Sequence, residues 1–291
     1  IVLLLKDKAF LKKTMAITLP IALQNLLNNV LNMIDTLMIG RLGETAIAAV
    51  GLANKVFFVF TLLMFGVSSG ASVLASQYWG KREPINIRKV LYISLLIGVG
   101  ASSLFMLAGV LFPEMVMRIF TPEQDTIAAG ATYLVIIAIS YPLTAITMVY
   151  TAILRSMNYV KLPVIITFIS IGVNGLLNYG LIFGKLGMPE MGIAGAALAT
   201  LIARIVECVA LLTIVYLHKA GDNGLGDFVH AKEIREDNQK SPLFTKGFIM
   251  KYLTTASPVI MNEFMWGLGV TMYSLVYGRM GNAATAAITI E

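Results

Sequence analysis

Charge is scarce in this chain. Only 13% of its 291 residues are Asp, Glu, Lys or Arg, against roughly 25% in an ordinary soluble domain. So few charges cannot cover a water-facing surface. With 57% hydrophobic residues and a mean hydropathy of +0.80, the class is a polytopic membrane protein. Cysteine is nearly absent as well: Cys208 stands alone inside an apolar run, which excludes a disulfide framework and any Cys/His metal spacing. The two histidines, His218 and His230, both fall in one polar loop. No G-x-x-x-x-G-K-[ST], H-E-x-x-H or G-x-S-x-G occurs, so neither ATP binding through a phosphate loop nor an enzyme active site is expected. A cleavable signal peptide is not expected either, because the apolar stretch Ile1 to Leu5 is short and Lys6, Lys8, Lys12 and Lys13 follow it.

Runs of about 20 mostly apolar residues mark membrane spans. Seven candidates occur, at 15–39, 50–78, 86–112, 127–154, 162–183, 193–217 and 247–277. Their connections are short except for 218–246, a charged stretch that reads as the one interdomain linker. The expected organisation is an N-terminal lobe of six spans over 1–217, a cytoplasmic loop over 218–246, and the start of a second lobe over 247–291. With the N-terminus inside, 16 Lys and Arg side chains fall on the cytoplasmic side and 5 outside, and Arg204 stays within a span. That bias fits the positive-inside rule. It also explains the net charge of +6 without nucleic acid. The expected location is the plasma (inner) membrane, multi-pass, with the N-terminus and the long loop cytoplasmic.

The chain repeats itself. "PIALQNLLNNVLNMIDTLMIGRLGETAIAAV", Pro20 to Val50, aligns without a gap on "PVIMNEFMWGLGVTMYSLVYGRMGNAATAAI", Pro258 to Ile288, at a constant offset of 238. Pro20 meets Pro258, Gly40-Arg41-x-Gly43 meets Gly278-Arg279-x-Gly281, and Ala48-Ala49 meets Ala286-Ala287. Six spans separate the copies, so both run the same way through the bilayer. This is a parallel repeat, an architecture of transporters whose substrate path lies near the midplane. One complete six-helix lobe and the first helix of another are expected, with about twelve spans in the whole protein.

Polar residues in so apolar a chain need a reason. In the first span Asn25, Asn28, Asn32 and Asp35 are spaced +3, +4 and +3, which puts them within about 80° of arc on one helix face. Gln24 and Asn29 flank them. The fifth span repeats the device with Ser170, Asn174 and Asn178 at +4 spacing. Two such stripes predict a polar cavity inside the first lobe. For any single asparagine the favoured reading is interhelical hydrogen bonding, worth about 0.6 kcal/mol on average. For Asp35 the cost of burying a carboxylate in a bilayer favours a proton or cation site. Glu263 takes the register of Asn25 in the second copy, while Tyr273 takes that of Asp35. Glu263 is either a second functional acid or a structural partner for a cation elsewhere. Arg204 and Glu207, three residues apart, predict a self-neutralising pair. Lys55 is expected to reach towards the outer headgroups.

"IDTLMIGRLGETAIAAVGLA", "GASVLASQYWGKRE", "NGLLNYGLIFG" and "MGIAGAALATLIAR" together resemble the multidrug and toxic compound extrusion (MATE) transporters, within the wider multidrug/oligosaccharidyl-lipid/polysaccharide exporter superfamily. The resemblance covers nearly the whole chain. It implies an all-α protein of two six-helix lobes that exports organic cations or amphipathic drugs in exchange for inward H⁺ or Na⁺, with no cofactor besides that coupling ion. Asp35 matches the first-helix acid of the family, Asn174 and Asn178 the polar pair of the fifth helix, and Glu263 the seventh-helix acid. Thr200 matches a sixth-helix polar residue. The coupling-ion residues are then Asp35, Asn174, Asn178 and Glu263, with Na⁺ at Asp35 or Glu263 if sodium is the ion. Asn25, Asn28, Asn32, Ser170 and Thr200 are the expected cavity or substrate path. Some proton-coupled members carry Asp where this chain has Asn178, which leaves the choice of ion open. The expected partners are the lipid bilayer and small drugs, not nucleic acid, and the expected state is monomeric. A lipid-linked oligosaccharide flippase of the same superfamily is the nearest alternative, and a passive channel or membrane scaffold a more distant one.

Overall fold

The computed structural model describes residues 8–217 and 245–280, and every regular element among them is an α-helix. In chain order these are α1 (Lys8–Gly40), α2 (Glu44–Gly80), α3 (Pro84–Leu111), α4 (Pro113–Phe120), α5 (Gln124–Ala138), α6 (Tyr141–Ser156), α7 (Lys161–Phe183), α8 (Gly192–Leu217) and α9 (Lys246–Gly278). The long polar loop and the last part of the second repeat lie outside the described residues.

Helices α2, α3, α7, α8 and α9 are each long and apolar enough to cross a membrane. A sixth span is the pair α5 and α6, bent by 48°. Pro142, in the first turn of α6, explains the break: its ring clashes with the carbonyl four residues back and it has no N–H to give. The Ser140 hydroxyl lies at the bend and donates to the Ile137 carbonyl at 2.6 Å. The first expected span, 15–39, corresponds to α1. It is 33 residues long but is not among the helices apolar enough to cross by composition, because its amide stripe dilutes its hydropathy. Short α4, with an exposed Arg118–Glu114 pair at 3.5 Å, was not expected from the sequence.

The Gly-Arg-x-Gly exit of the first repeat has a local cause. Gly43 takes φ 112° between α1 and α2, a conformation open to glycine and strained for other residues. The Arg41 guanidinium lies 6.0 Å from the Phe183 ring centre, so the same turn is tied to the end of α7.

α2 is the axis of the bundle and packs against α3, α5, α6 and α9. Its core is aromatic: Phe60 stacks on Tyr141 with centroids 5.0 Å apart. Where α9 crosses α2, a Cβ on Gly66 would lie 2.5 Å from the Ile260 Cα, and one on Gly70 would collide with Ala256. Glycines four apart therefore let two backbones touch, as small residues do in membrane helix pairs. α7 and α8 form a second packed pair, and α1 leans mainly on α7. Large apolar side chains such as Leu96, Leu104, Phe168 and Ile169 face outward, as a lipid-facing surface requires.

α9 repeats α1 in three dimensions as well as in sequence. Shifted by 238 positions, the bounds of α1 become those of α9, and Pro20 and Pro258 interrupt the two helices at the same place.

Candidate functional site

A cavity of about 530 Å³ opens between α1, α2, the α5–α6 bend, α7 and α8. Its wall carries Asn32, Asp35 and Thr36 from α1, with Asn54, Lys55 and Thr61 from α2. Tyr133 and Ser140 come from the bent span, Asn178 from α7, and Thr200 and Arg204 from α8. Phe57 and Phe58 add aromatic surface.

Asp35 reaches this wall because the polar face of α1 turns towards α7. Asn178 Nδ2 donates to Asp35 Oδ1 at 2.7 Å and to Asn174 Oδ1 at 3.0 Å. Asn174 Nδ2 in turn donates to Thr200 Oγ1 at 3.2 Å, and Thr200 Oγ1 donates to the Ala196 carbonyl at 3.1 Å. The +4 spacing on α7 stacks the two amides one turn apart, so one string of side chains joins α1, α7 and α8. Asn178 is 1% exposed, and its Oδ1 is buried without a hydrogen-bond partner. Buried acceptors are rarely left so. A carboxylate at a cavity wall is a hard-oxygen ligand suited to a proton or a small hard cation. Among the described residues no three His, Cys, Asp or Glu side chains gather as a metal site.

A second string runs beneath the first. Arg155 Nη2 donates to Gln24 Oε1 at 2.6 Å, and Gln24 Nε2 to Thr167 Oγ1 at 2.7 Å. Thr167 Oγ1 donates to Glu207 Oε1 at 3.1 Å, while Arg204 Nη1 holds Glu207 Oε2 at 2.8 Å. The expected Arg204–Glu207 pair is therefore formed, and Glu207 is buried. Gln24 matters more than its place beside the stripe suggested. It is buried and linked at both ends of its amide, and its partners lie far away in sequence, so no local spacing could have pointed to them.

The structure thus gathers Asp35, Asn178, Asn174, Thr200 and Asn32 at or behind one cavity wall. It does not bring every expected residue there. Asn25 is exposed and Asn28 half-buried, and neither lines the cavity. Ser170 is buried and donates to the Ala203 carbonyl at 2.9 Å, which makes it a fastener between α7 and α8. Glu263 is partly exposed on α9 and does not line the cavity. Lys55 departs from expectation in the other direction: it faces the cavity where the headgroups were expected.

The model of the MatE family matches residues 20–180, which include α2 to α6 and most of α1 and α7. A probable multidrug resistance protein NorM of Thermotoga maritima is 29% identical over 70% of this chain and 44% of its own length. The probable multidrug resistance protein YoeA of Bacillus subtilis is 26% identical over 97% of this chain and 59% of its own length. The chain therefore spans about half the length of the curated relatives it matches. Among solved structures, the Vibrio cholerae MATE transporter VcmN in the bent form superposes with a TM-score of 0.74 at 19% identity. That match covers 96% of this chain and 59% of the other. An inward-facing multidrug resistance MATE transporter of the MOP superfamily gives 0.72 at 19% identity, over 92% and 56%. The spans, the bundle and the family match agree, and the chain belongs to the MatE family of transporters.

Proposed function

We propose that this chain is the first lobe, with the leading helix of the second, of a cation-coupled multidrug efflux antiporter. It works by alternating access in the plasma (inner) membrane, with the N-terminus and the 218–246 loop on the cytoplasmic side. Its substrates are organic cations or amphipathic drugs, and its coupling ion is H⁺ or Na⁺. One observation carries the reading: Asp35 stands at a cavity wall and accepts a hydrogen bond at 2.7 Å from Nδ2 of the buried Asn178. In such a place a carboxylate takes an ion from one side and gives it up to the other. The state in which it is loaded is thereby favoured over the state in which it is empty. Asn174 and Thr200 hold Asn178 in position, and Asn32 extends the polar wall. Glu263 is the acid that the second lobe contributes to the transport path.

A flippase for lipid-linked sugars would need several unpaired cations to meet a pyrophosphate. This cavity offers Lys55 alone, since Arg204 is held by Glu207.

The test uses the full-length protein in proteoliposomes with a fluorescent organic cation, under a pH gradient alone or a Na⁺ gradient alone. Uphill movement of the dye under one of the two gradients is expected. Equal dye flux with and without either gradient would replace the antiporter with a passive channel.

A further inference from the structure

Cations gather where α2 ends and α9 begins, away from the cavity. The two helices run antiparallel: Ile260 meets Gly66 and Ala256 meets Gly70. Nearer the end, Phe248 stacks on Tyr78 with centroids 6.0 Å apart. On that register Lys246 stands beside Gly80 and Lys81. The Lys251 Nζ lies 4.9 Å from the centre of the Tyr78 ring and donates to its hydroxyl at 3.1 Å. The α2–α3 turn adds Lys81 and Arg82. Arg82 takes φ 59°, and its backbone N–H donates to the Trp79 carbonyl at 3.1 Å. Lys81, Arg82, Lys246 and Lys251 are all exposed. Among the described residues none of the four forms an ion pair within 4.0 Å. The acid of the turn, Glu83, accepts from Asn86 Nδ2 at 2.7 Å. α9 starts at the same end with no side-chain cap from Thr245, so the positive end of its dipole adds to the cations. Trp79 meets Tyr159 edge-on at 6.5 Å beside them, and Trp and Tyr concentrate at the level of lipid headgroups.

We infer that this cluster binds an anionic phospholipid, whose phosphate sits between Lys81 and Arg82 of the α2–α3 turn and Lys246 and Lys251 of α9. The side of the membrane rests on the orientation proposed above, which places the site in the cytoplasmic leaflet. Hydrogen bonds from charged donors to a phosphate are the strong kind, and basic clusters at the inner face recognise anionic headgroups. The Lys251 ammonium is already held by Tyr78, so little of its freedom is lost when a phosphate arrives. Exposed Val73 on α2 and Leu253 on α9 lie further into the bilayer and give the acyl chains an apolar surface. A free anion would have the cations but no use for that surface, which favours a lipid over inorganic phosphate. The four cations come from both sides of the repeat: two follow α2 of the first lobe and two belong to the leading helix of the second. A phosphate shared among them ties the lobes together at the end of the glycine seam.

The test titrates the full-length protein, in a neutral detergent, with phosphatidylglycerol, phosphatidylcholine or inorganic phosphate and follows its melting temperature. A ligand that binds only the folded protein raises that temperature. Phosphatidylglycerol is expected to raise it at concentrations where the other two do not. Lys81→Gln and Lys246→Gln should each raise the half-saturating concentration of phosphatidylglycerol about fivefold, the scale of one basic side chain at an anionic headgroup. Lys185→Gln, in the exposed turn between α7 and α8 at the opposite end of the bundle, should leave it unchanged. All three side chains are exposed, and the melting temperature before lipid is added confirms that each variant folds. Equal stabilisation by phosphatidylcholine would overturn the site, as would a titration unaltered in Lys81→Gln and Lys246→Gln or weakened equally in Lys185→Gln. Inorganic phosphate acting as well as the lipid would replace the lipid site with one for a bare anion. No transport enters these readings, so failure of the antiporter reading and failure of the lipid site are separate results.

Discussion

α1 and α9 share their length, the place of their proline and their Gly-Arg exit, yet different chemistry holds each in place. α9 is fastened by shape. Ile260 and Ala256 close on Gly66 and Gly70, Gly267 meets Leu62, and the buried Tyr252 hydroxyl donates to the Val67 carbonyl at 3.2 Å. α1 is fastened by polar side chains, with Gln24 on Thr167 and Asp35 on Asn178. The register of Asp35 in α9 belongs to Tyr273, which is 66% exposed. A helix of this geometry can therefore be built without a carboxylate at that register. The aspartate is an addition to the scaffold, which is the strongest reason to assign it to transport.

The comparison breaks most visibly at that register. Asp35→Asn is expected to reduce gradient-driven efflux by the full-length protein to background in proteoliposomes, with normal membrane insertion. Tyr273→Phe should stay within about twofold of wild type, the scale of an exposed substitution. Full transport by Asp35→Asn would make the two helices equivalent and end the assignment. Next in size, Asn178→Ala removes the donor to a charged acceptor, worth about 1.5–3 kcal/mol. The apparent affinity for the coupling ion should change by roughly ten- to a hundredfold, read as transport rate against H⁺ or Na⁺ concentration. An unaltered ion dependence would detach Asn178 from the ion site.

On the side of α9, Gly70→Val overpacks the crossing with Ala256 and should cost about 1–3 kcal/mol. A fall in melting temperature of roughly 5 °C in detergent is the expected reading. A melting curve superimposable on wild type would mean that the close approach is not what holds α9. The smallest effect belongs to Ser170→Ala, which loses one interhelical hydrogen bond of about 0.6 kcal/mol. Transport should be preserved, and a clear loss would return Ser170 to the substrate path.

The spans were legible because apolar run length is a local property, and their expected bounds differ from the helices by a few residues at most ends. The break at Ser140 was not, since a proline such as Pro142 inside an apolar run is compatible with either a straight or a bent span. The Asp35–Asn178 contact followed from two stripes of the right period on two helices. Lys55 was misplaced for a physical reason. Sequence gives the depth of a lysine along a helix but not its azimuth relative to neighbours, and azimuth separates a cavity wall from a headgroup. Gln24 was underrated likewise. Its partners Arg155 and Thr167 lie 131 and 143 positions away, beyond any local periodicity.

The glycine seam between α2 and α9 also bears on how the molecule is divided. By repeat, α9 opens the second lobe; by burial, Tyr252 and Ala256 sit in the same core as Phe60 and Met64 of the first. The border drawn along the chain and the border drawn through the packing are therefore different lines. α9 is a graft, encoded with one lobe and rooted in the other, so the first lobe cannot tilt without carrying the leading helix of its neighbour with it.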